Sequence, residues 1–101
     1  MKNHIHQGDI LQIENIKNPV LVTSKDFFNR SGEIIGCPIF SGDSDSPLHI
    51  KIKTNHIAGC VHCEKLALLD MHVRGYKTIS TLPLADIINL TDAIQGIFDY
   101  I

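Results

Sequence analysis

The most regular pattern of the chain lies in residues 48–53, which read Leu-His-Ile-Lys-Ile-Lys. Successive side chains of a strand point to opposite faces, so this alternation predicts a half-buried β-strand. The apolar side chains are expected to face the core, while His49, Lys51 and Lys53 are expected to face outward. The two lysines then form a small basic ridge, whose ordinary role is to protect a sheet edge and keep the protein soluble, with a binding role as the alternative.

Other apolar stretches predict further strands, at residues 10–14, 19–23, 33–40, 59–74 and 78–81. Proline cannot donate to a β-ladder, so Pro38 predicts that its strand lies at an edge or contains a bulge. The stretch 59–74 is rich in aliphatic residues and predicts one long strand that runs into a bend. Small, acidic and turn-forming residues predict a loop at 41–47 and a turn at 75–77.

Two segments have helical character. Residues 24–30 predict one or two helical turns, with Ser24 as the N-cap and Asp26 as a favourable charge near the helix start. From Pro83 onward the period changes to that of an amphipathic helix, whose apolar positions are Leu84, Ile87, Ile88, Leu90, Ala93, Ile94, Ile97, Phe98 and Ile101. This terminal helix is expected to close the core against the sheet or to contact a partner.

The order of these elements predicts a single domain over residues 1–101. Its class is mainly β (α+β), a compact antiparallel or barrel-like fold with a short helix and a C-terminal α-helix. The net charge of −2 gives no overall attraction to nucleic acid, so an anionic partner has to meet a local basic patch. The three cysteines, the polar start of the chain and the lack of long apolar runs predict a reduced, cytoplasmic protein without membrane contact.

Within residues 59–74, strand alternation places His62 and Glu64 on the same face. An imidazole beside a carboxylate is a candidate proton-transfer pair, because the carboxylate orients the ring and favours its protonated form. The ordinary interpretation of the same two residues is a solvated strand face.

A zinc site is an alternative, because Cys60, His62 and Cys63 lie close in sequence with His56 nearby, and zinc favours sets of cysteine and histidine. A continuous strand places Cys60 and His62 on one face and Cys63 on the other, so these side chains do not converge. Burial as small hydrophobic residues accounts better for Cys37 and Cys63. We therefore expect no metal and no other cofactor.

Short motifs follow one another in a characteristic order along almost the whole chain. They are Gly8-Asp9-Ile10, PVLVTS at 19–24, Phe28-Asn29-Arg30, Cys37-Pro38-Ile39 with Ser41, LDMHVR at 69–74, and Leu82-Pro83. By the order and spacing of these motifs, the chain resembles the MazF/PemK/Kid family of bacterial toxins.

The resemblance implies an SH3-like, CcdB-like small barrel that forms a homodimer in the cytoplasm. It implies the toxin of a type II toxin–antitoxin system, a sequence-specific endoribonuclease that cleaves single-stranded mRNA by attack of the 2′-hydroxyl, without a metal. A cognate antitoxin neutralises such a toxin, and operator DNA is contacted only through the toxin–antitoxin complex.

Carried over position by position, the family's Arg-x-Asp pair corresponds to His62 and Glu64, which the resemblance therefore implies as the catalytic residues. In the expected reaction Glu64 takes the proton of a ribose 2′-hydroxyl, and protonated His62 gives a proton to the departing 5′-oxygen. The residues implied to bind RNA or to stabilise its phosphate are Lys17, Arg30, Ser41, Lys65 and Arg74.

Two further positions depart from the family pattern. Asn18 stands where family members carry an arginine, with Lys17 as the neighbouring cation. Phe40 stands where they carry a threonine, and Ser41 is then the nearest hydroxyl. These departures leave open a weakened enzyme or a catalytically inactive binding module of the same fold.

A non-enzymatic toxin of the CcdB type, which binds DNA gyrase, is a further alternative. Residues 92–101 are similar to the end of that protein. That family uses a tryptophan near its C-terminus to engage gyrase, and this chain contains no tryptophan.

Overall fold

The computed structural model describes residues 4–42 and 44–98. In these ranges it contains seven strands and two helices: β1 (Asp9–Ile13), β2 (Val20–Val22), α1 (Asp26–Asn29), β3 (Glu33–Phe40), β4 (His49–Lys53), β5 (Ala58–His62), β6 (Ala67–Asp70), β7 (Tyr76–Thr81) and α2 (Leu84–Phe98). The helix position predicted at Ile101 lies outside the described residues, as does Asp43 of the predicted loop. No helix of the described ranges is long and apolar enough to cross a membrane.

The strands form one antiparallel sheet in the order β4-β5-β3-β2-β1-β7, and β6 also pairs with β3. The sheet is an open half-barrel with α2 following its last strand, which confirms the mainly β, α+β class. Adjacent residues of β1 enter two different apolar clusters: Ile10 packs in one with Leu21, while Leu11 and Ile13 pack in the other with Val20. Both faces of this part of the sheet are therefore buried.

The strand β3 lies in the interior of the sheet, so of the two alternatives predicted from Pro38, an edge or a bulge, the edge is wrong. Ile39 N donates to Pro19 O at 2.9 Å, on the β2 side of the strand. The ring nitrogen of Pro38 therefore faces the opposite side, since successive backbone nitrogens of a strand alternate. On that side the pairing with β6 has ended at Gly36 and the pairing with β5 begins at Ile39. Proline is tolerated because no partner strand requires a donor there.

The long strand predicted over residues 59–74 is also wrong, because a turn at Cys63 and Glu64 divides it into β5 and β6. Both strands pair with β3, β5 at its C-terminal end and β6 at its N-terminal half. The turn fits between them, where Lys65 N donates to His62 O at 3.1 Å. The prediction failed because aliphatic residues occur on both sides of the turn, and no Gly or Pro marks the turn itself.

Two local predictions need correction. Ser24 does not cap α1, because Lys25 occupies the N-cap and the Ser24 hydroxyl accepts a hydrogen bond from Ile35 N at 2.9 Å. The turn predicted at residues 75–77 is shorter than expected, since β7 already begins at Tyr76. Asp26 does lie in the first turn of α1, where it accepts hydrogen bonds from Gln7 N and the His6 ring.

The helix α2 closes the core on one side and leaves a second apolar face uncovered. Leu90 is buried, and Ile87, Ala93 and Ile94 pack against the cluster that contains it. Leu84, Ile88 and Phe98 are 69%, 52% and 71% exposed. At 100° per residue these three side chains lie on one face, turned away from Leu90.

We expect Gly36→Ala to destabilise the fold by about 1–3 kcal/mol, because an added methyl group overpacks the sheet. A Cβ atom at Gly36 would lie 2.5 Å from Val20 Cγ1 and 2.8 Å from the Leu21 carbonyl oxygen, which the β2–β3 pairing holds in place. The matched control is Gly96→Ala in α2, where nothing lies within 4 Å. This control should stabilise the protein by about 0.5–1 kcal/mol. Urea denaturation measures both, and equal midpoints would contradict the role of Gly36.

Candidate active site

The centre of the site is a pair of histidines on the hairpin formed by β4 and β5. His49 begins β4, His62 ends β5, and the register places the two directly opposite each other. Opposite residues of an antiparallel pair project from the same face. The two imidazole rings consequently stack, with centroids 3.7 Å apart and planes inclined by 13°.

The turn after β5 brings Glu64 back toward this pair. His49 Nε2 and Glu64 Oε2 are 2.8 Å apart, and the other ring nitrogen of His49 contacts the Ser44 hydroxyl. The side chain of His49 is only 16% exposed. The carboxylate therefore has His49 as its hydrogen-bond partner, whereas the strand alternation predicted a side-by-side arrangement with His62.

His49 is the residue of the site that sequence reasoning missed. The alternation of residues 48–53 predicts its outward direction but assigns it no function. The register of the hairpin is the signal that identifies His49. The turn of this hairpin is short, and Lys53 pairs with Ala58. Counting outward from that pair places His49 opposite His62.

Phe40 and Lys65 complete one side of the cluster. The Phe40 ring lies 4.3 Å from the His62 ring, inclined by 52°. Lys65 Nζ lies 5.7 Å from the centroid of Phe40, within the range of a cation–π contact. The aromatic ring thus links the lysine to the stacked histidines.

The protonation of the cluster follows from these contacts. The hydrogen bond from His49 lowers the pKa of Glu64, so its carboxylate is ionised and is a weak base. Desolvation, together with the nearby His49, lowers the pKa of His62 and favours its neutral form. His62 Nδ1 is also buried without a hydrogen-bond partner among the described residues.

The other residues expected to bind RNA are divided between the two ends of β3. Ser41 directly follows Phe40, and Lys17 precedes Asn18, whose amide donates to Ile39 O at 3.3 Å. These two therefore lie at the end of β3 that carries the histidine pair. Arg30 and Arg74 lie near the other end: Arg30 caps α1 ahead of β3, and Arg74 follows β6 in the loop to β7.

The cysteines are part of the core. Cys37, Cys60 and Cys63 are buried, and desolvation raises the pKa of Cys37 to about 12 and that of Cys63 to about 11. The thiols of Cys37 and Cys63 are therefore neutral and unreactive near pH 7. His56 lies exposed in the β4–β5 turn, at the far end of the hairpin from His62. The residues of the sequence-based zinc alternative are thus not brought together.

A different set of metal-ligating side chains is close together. His49, His62 and Glu64 each offer one ligand atom, and these atoms lie within 4.8 Å of one another. Two functions are chemically available to such a cluster, proton transfer between imidazoles oriented by a carboxylate and coordination of a cation.

Comparison with known proteins gives both a family and a fold. The sequence model of the family described as PemK-like, MazF-like toxin of type II toxin–antitoxin systems matches residues 7–98. No curated protein matches the chain at a significant level.

Several solved structures share the fold. A chain of the MazE–MazF crystal structure (Form I) from Deinococcus radiodurans has a TM-score of 0.83 at 18% identity, over 92% of this chain and 94% of that one. An endoribonuclease in complex with its cognate antitoxin from a mycobacterial species gives 0.79 at 14%, over 91% and 92%. The Mycobacterium tuberculosis toxin MazF-mt6 gives 0.73 at 17%, over 92% and 99%.

We expect His49→Ala to raise the pKa of Glu64 toward its ordinary value of 4.5, because the hydrogen bond from His49 is the main cause of the lowered pKa. A lowered carboxyl pKa stabilises the fold above pH 4.5, and that contribution is lost as the pH falls through the folded pKa. The variant should therefore lose less stability on acidification than the wild type. Carbon-detected NMR titration of the Glu64 carboxyl group measures the shift.

The matched control for this titration is His72→Ala, which removes a histidine hydrogen-bonded to a different carboxylate, Asp70. The control should raise the pKa of Asp70 and leave Glu64 unchanged. A Glu64 titration that is the same in the wild type and in His49→Ala would contradict the His49–Glu64 hydrogen bond.

Proposed function

Because the chain belongs to the PemK-like, MazF-like toxins of type II toxin–antitoxin systems, we propose that it is an endoribonuclease. It cleaves single-stranded mRNA at specific sequences in the cytoplasm and requires no metal. The observation that supports this activity is the cluster of His49, His62 and Glu64, which offers two imidazoles in contact and a carboxylate that orients one of them. The mycobacterial structure of the same fold is itself an endoribonuclease.

The reaction needs one group that accepts a proton and one that donates a proton. Neutral His62 takes the proton of a ribose 2′-hydroxyl, whose oxygen then attacks the adjacent phosphorus. His49 gives a proton to the departing 5′-oxygen, through the ring nitrogen that contacts Ser44. Glu64 holds the other nitrogen of His49 and thereby positions the ring. The products end in a 2′,3′-cyclic phosphate and a 5′-hydroxyl.

These roles differ from those expected from the sequence, in which Glu64 was the base and His62 the acid. The hydrogen bond from His49 lowers the pKa of Glu64 and makes the carboxylate a poor proton acceptor. Desolvation lowers the pKa of His62, which keeps this ring neutral and able to accept a proton. An efficient general base has a pKa near the working pH, which favours the imidazole.

The negative charge that the phosphate gains during the reaction requires cations or hydrogen-bond donors nearby. Lys65 is the cation closest in the chain to the cluster, and it reaches the Phe40 ring that packs on His62. Lys17 and Ser41 lie at the same end of β3 and extend the surface on which the RNA backbone lies. Arg30 and Arg74, at the other end of β3, contact nucleotides away from the scissile bond.

A second copy of the chain covers the exposed apolar face of α2, which gives the homodimer. Leu84, Ile88 and Phe98 line this face, and side chains of this size rarely remain uncovered together on a helix. A cognate antitoxin neutralises the dimer and carries it to operator DNA. Two of the related structures are complexes of this kind, MazE–MazF and an endoribonuclease with its cognate antitoxin.

We expect wild-type protein to cut single-stranded RNA into discrete fragments in the presence of excess chelator. His62→Ala and His49→Ala should each lower the cleavage rate about 100-fold or more, because each removes a proton-transfer group. Replacing the ribose at the cut site by deoxyribose should abolish cleavage, since the nucleophile is the 2′-hydroxyl. Gel electrophoresis of end-labelled RNA, with mass analysis of the 3′ end, measures rate and product.

Arginine and lysine variants control for a general loss of positive charge. Lys65→Ala should slow cleavage, whereas Arg30→Ala, at the other end of β3, should leave the rate of the chemical step unchanged under saturating RNA. If neither the wild type nor any variant cuts RNA at high protein concentration, the chain is an inactive or gyrase-directed member of the fold. Full activity of His62→Ala would remove His62 from the mechanism.

We expect Ile88→Asp to convert the dimer to a monomer, because the new carboxylate would be buried without a partner between two copies of α2. Asn89→Asp, on a polar face of the same helix, is the control and should remain dimeric. Sedimentation equilibrium of the wild type should give twice the mass of the chain. A dimer that persists unchanged in Ile88→Asp would exclude α2 from the interface.

A further inference from the structure

We propose that His49, His62 and Glu64 form a binding site for a borderline divalent cation, with Zn²⁺ as the best fit, and that the bound cation switches off RNA cleavage. The binding part of this inference stands on the geometry of the three side chains. The inhibitory part rests on the proposed function, because it requires the same side chains to act in proton transfer.

The three donors are of the right kind for such an ion. Two imidazole nitrogens and one carboxylate oxygen lie within 4.8 Å of one another. Tetrahedral zinc binds these atoms at about 2.0–2.2 Å, which places them roughly 3.4 Å apart around the ion. The 2.8 Å between His49 Nε2 and Glu64 Oε2 then has to open by about 0.6 Å, and the wider separations have to close by at most about 1.4 Å. An N₂O set favours zinc and neighbouring transition metals over Mg²⁺ and Ca²⁺, which take oxygen ligands.

One histidine is already oriented from outside the cluster. The Ser44 hydroxyl contacts Nδ1 of His49, and Nε2 faces Glu64 at 2.8 Å. Metal-binding histidines are usually held in this way, with the nitrogen that does not bind the ion hydrogen-bonded to a protein group. Replacing the proton between His49 and Glu64 by a cation therefore keeps the existing orientation of the ring.

The second histidine can turn without losing a hydrogen bond at Nδ1. His62 Nδ1 is buried and has no hydrogen-bond partner within the described ranges, so rotation of this ring breaks no bond at that atom. Rotation is required, because the lone pair of an imidazole lies in the ring plane and two stacked, nearly parallel rings cannot both point to one ion. Cation binding is therefore expected to open the 3.7 Å stack of His49 and His62.

Other histidine–carboxylate pairs in the described part of the chain provide the contrast. His6 and Asp26 approach to 2.8 Å, and His72 and Asp70 approach to 2.7 Å, with distances close to that of His49 and Glu64. Both pairs are at least half exposed, and neither belongs to a group of three ligating side chains. The cluster on the hairpin differs by its second imidazole and by its lower exposure.

The consequence for catalysis follows from the shared atoms. A cation bound to the cluster occupies the nitrogen lone pair with which His62 accepts a proton. It also breaks the hydrogen bond between Glu64 and His49, because the carboxylate now binds the cation. Three protein ligands also leave a fourth position that a phosphate oxygen of RNA can fill. The RNA can then bind while its cleavage is blocked.

The test titrates Zn²⁺ into tag-free protein by calorimetry at pH 7, with Co²⁺ as a second probe whose visible absorption reports four-coordinate binding. Wild type should bind one ion per chain. His49→Ala and His62→Ala should each weaken binding by more than the roughly 10-fold loss expected for Ser44→Ala, which removes an outer contact only. His6→Ala and His72→Ala, which each remove one exposed histidine, should bind like the wild type. Circular dichroism checks that every variant is folded.

Absence of one-to-one binding by the folded wild type would overturn the site, and so would equal binding by His49→Ala, His62→Ala and the two control variants. Cleavage assays with and without Zn²⁺ test the inhibitory part separately. Loss of cleavage on adding one equivalent of Zn²⁺, reversed by chelator, supports it, whereas undiminished cleavage by the zinc-loaded protein overturns it. Zinc binding by a protein that never cuts RNA would reject the proposed ribonuclease and leave the cation site intact.

Discussion

The pairing of three strands with the single strand β3 is the constraint on which the rest of the structure depends. β2 takes one side of it, and β6 and β5 divide the other side between them. This division permits Pro38 in an interior strand, and it requires the chain to turn at Cys63 and Glu64 on its way from β5 to β6. The turn that satisfies the backbone pairing is therefore the same turn that places the carboxylate beside the histidines.

Regular structure, rather than a flexible loop, holds most of the site. His49 and His62 are fixed by the register of one hairpin, and Phe40 is the last residue of β3. Side chains on paired strands keep their relative positions better than side chains on loops, which suits any site that depends on precise geometry. Ser44 lies in the adjoining loop and contacts Nδ1 of His49. Glu64 lies in the adjoining turn and is hydrogen-bonded to Nε2 of the same ring.

The family fold is retained at identities of 14–18% to the solved structures, while the resemblance implies different residue types at the site. The resemblance aligns His62 with an arginine of the family, Glu64 with the aspartate that accompanies it, and Phe40 with a threonine. An arginine remains charged at any physiological pH, whereas an imidazole exchanges protons near neutrality and also binds transition metals. The same substitution therefore underlies both the proposed base and the proposed cation site.

The sequence by itself determined the class of the fold. Burial of apolar side chains produces patterns that can be read within a short segment of sequence. These patterns are the alternation in residues 48–53, the apolar stretches of β1 to β3 and the 3.6-residue period of α2. The motifs from Gly8 to Leu82 likewise sufficed for the family. His62 and Glu64 were recognised as candidates because their residue types carry proton chemistry wherever they lie.

Only the tertiary structure decided which of these groups meet. The partner of Glu64 depends on the pairing of β4 with β5 and on a turn that no local pattern marked, so His49 emerged only from the register. The interior position of β3 likewise depends on pairing between residues distant in sequence. The same kind of pairing places Lys17 and Arg30 at opposite ends of that strand. Periodicity reports the face on which a side chain lies, whereas the identity of its neighbour is set by strand pairing across the whole chain.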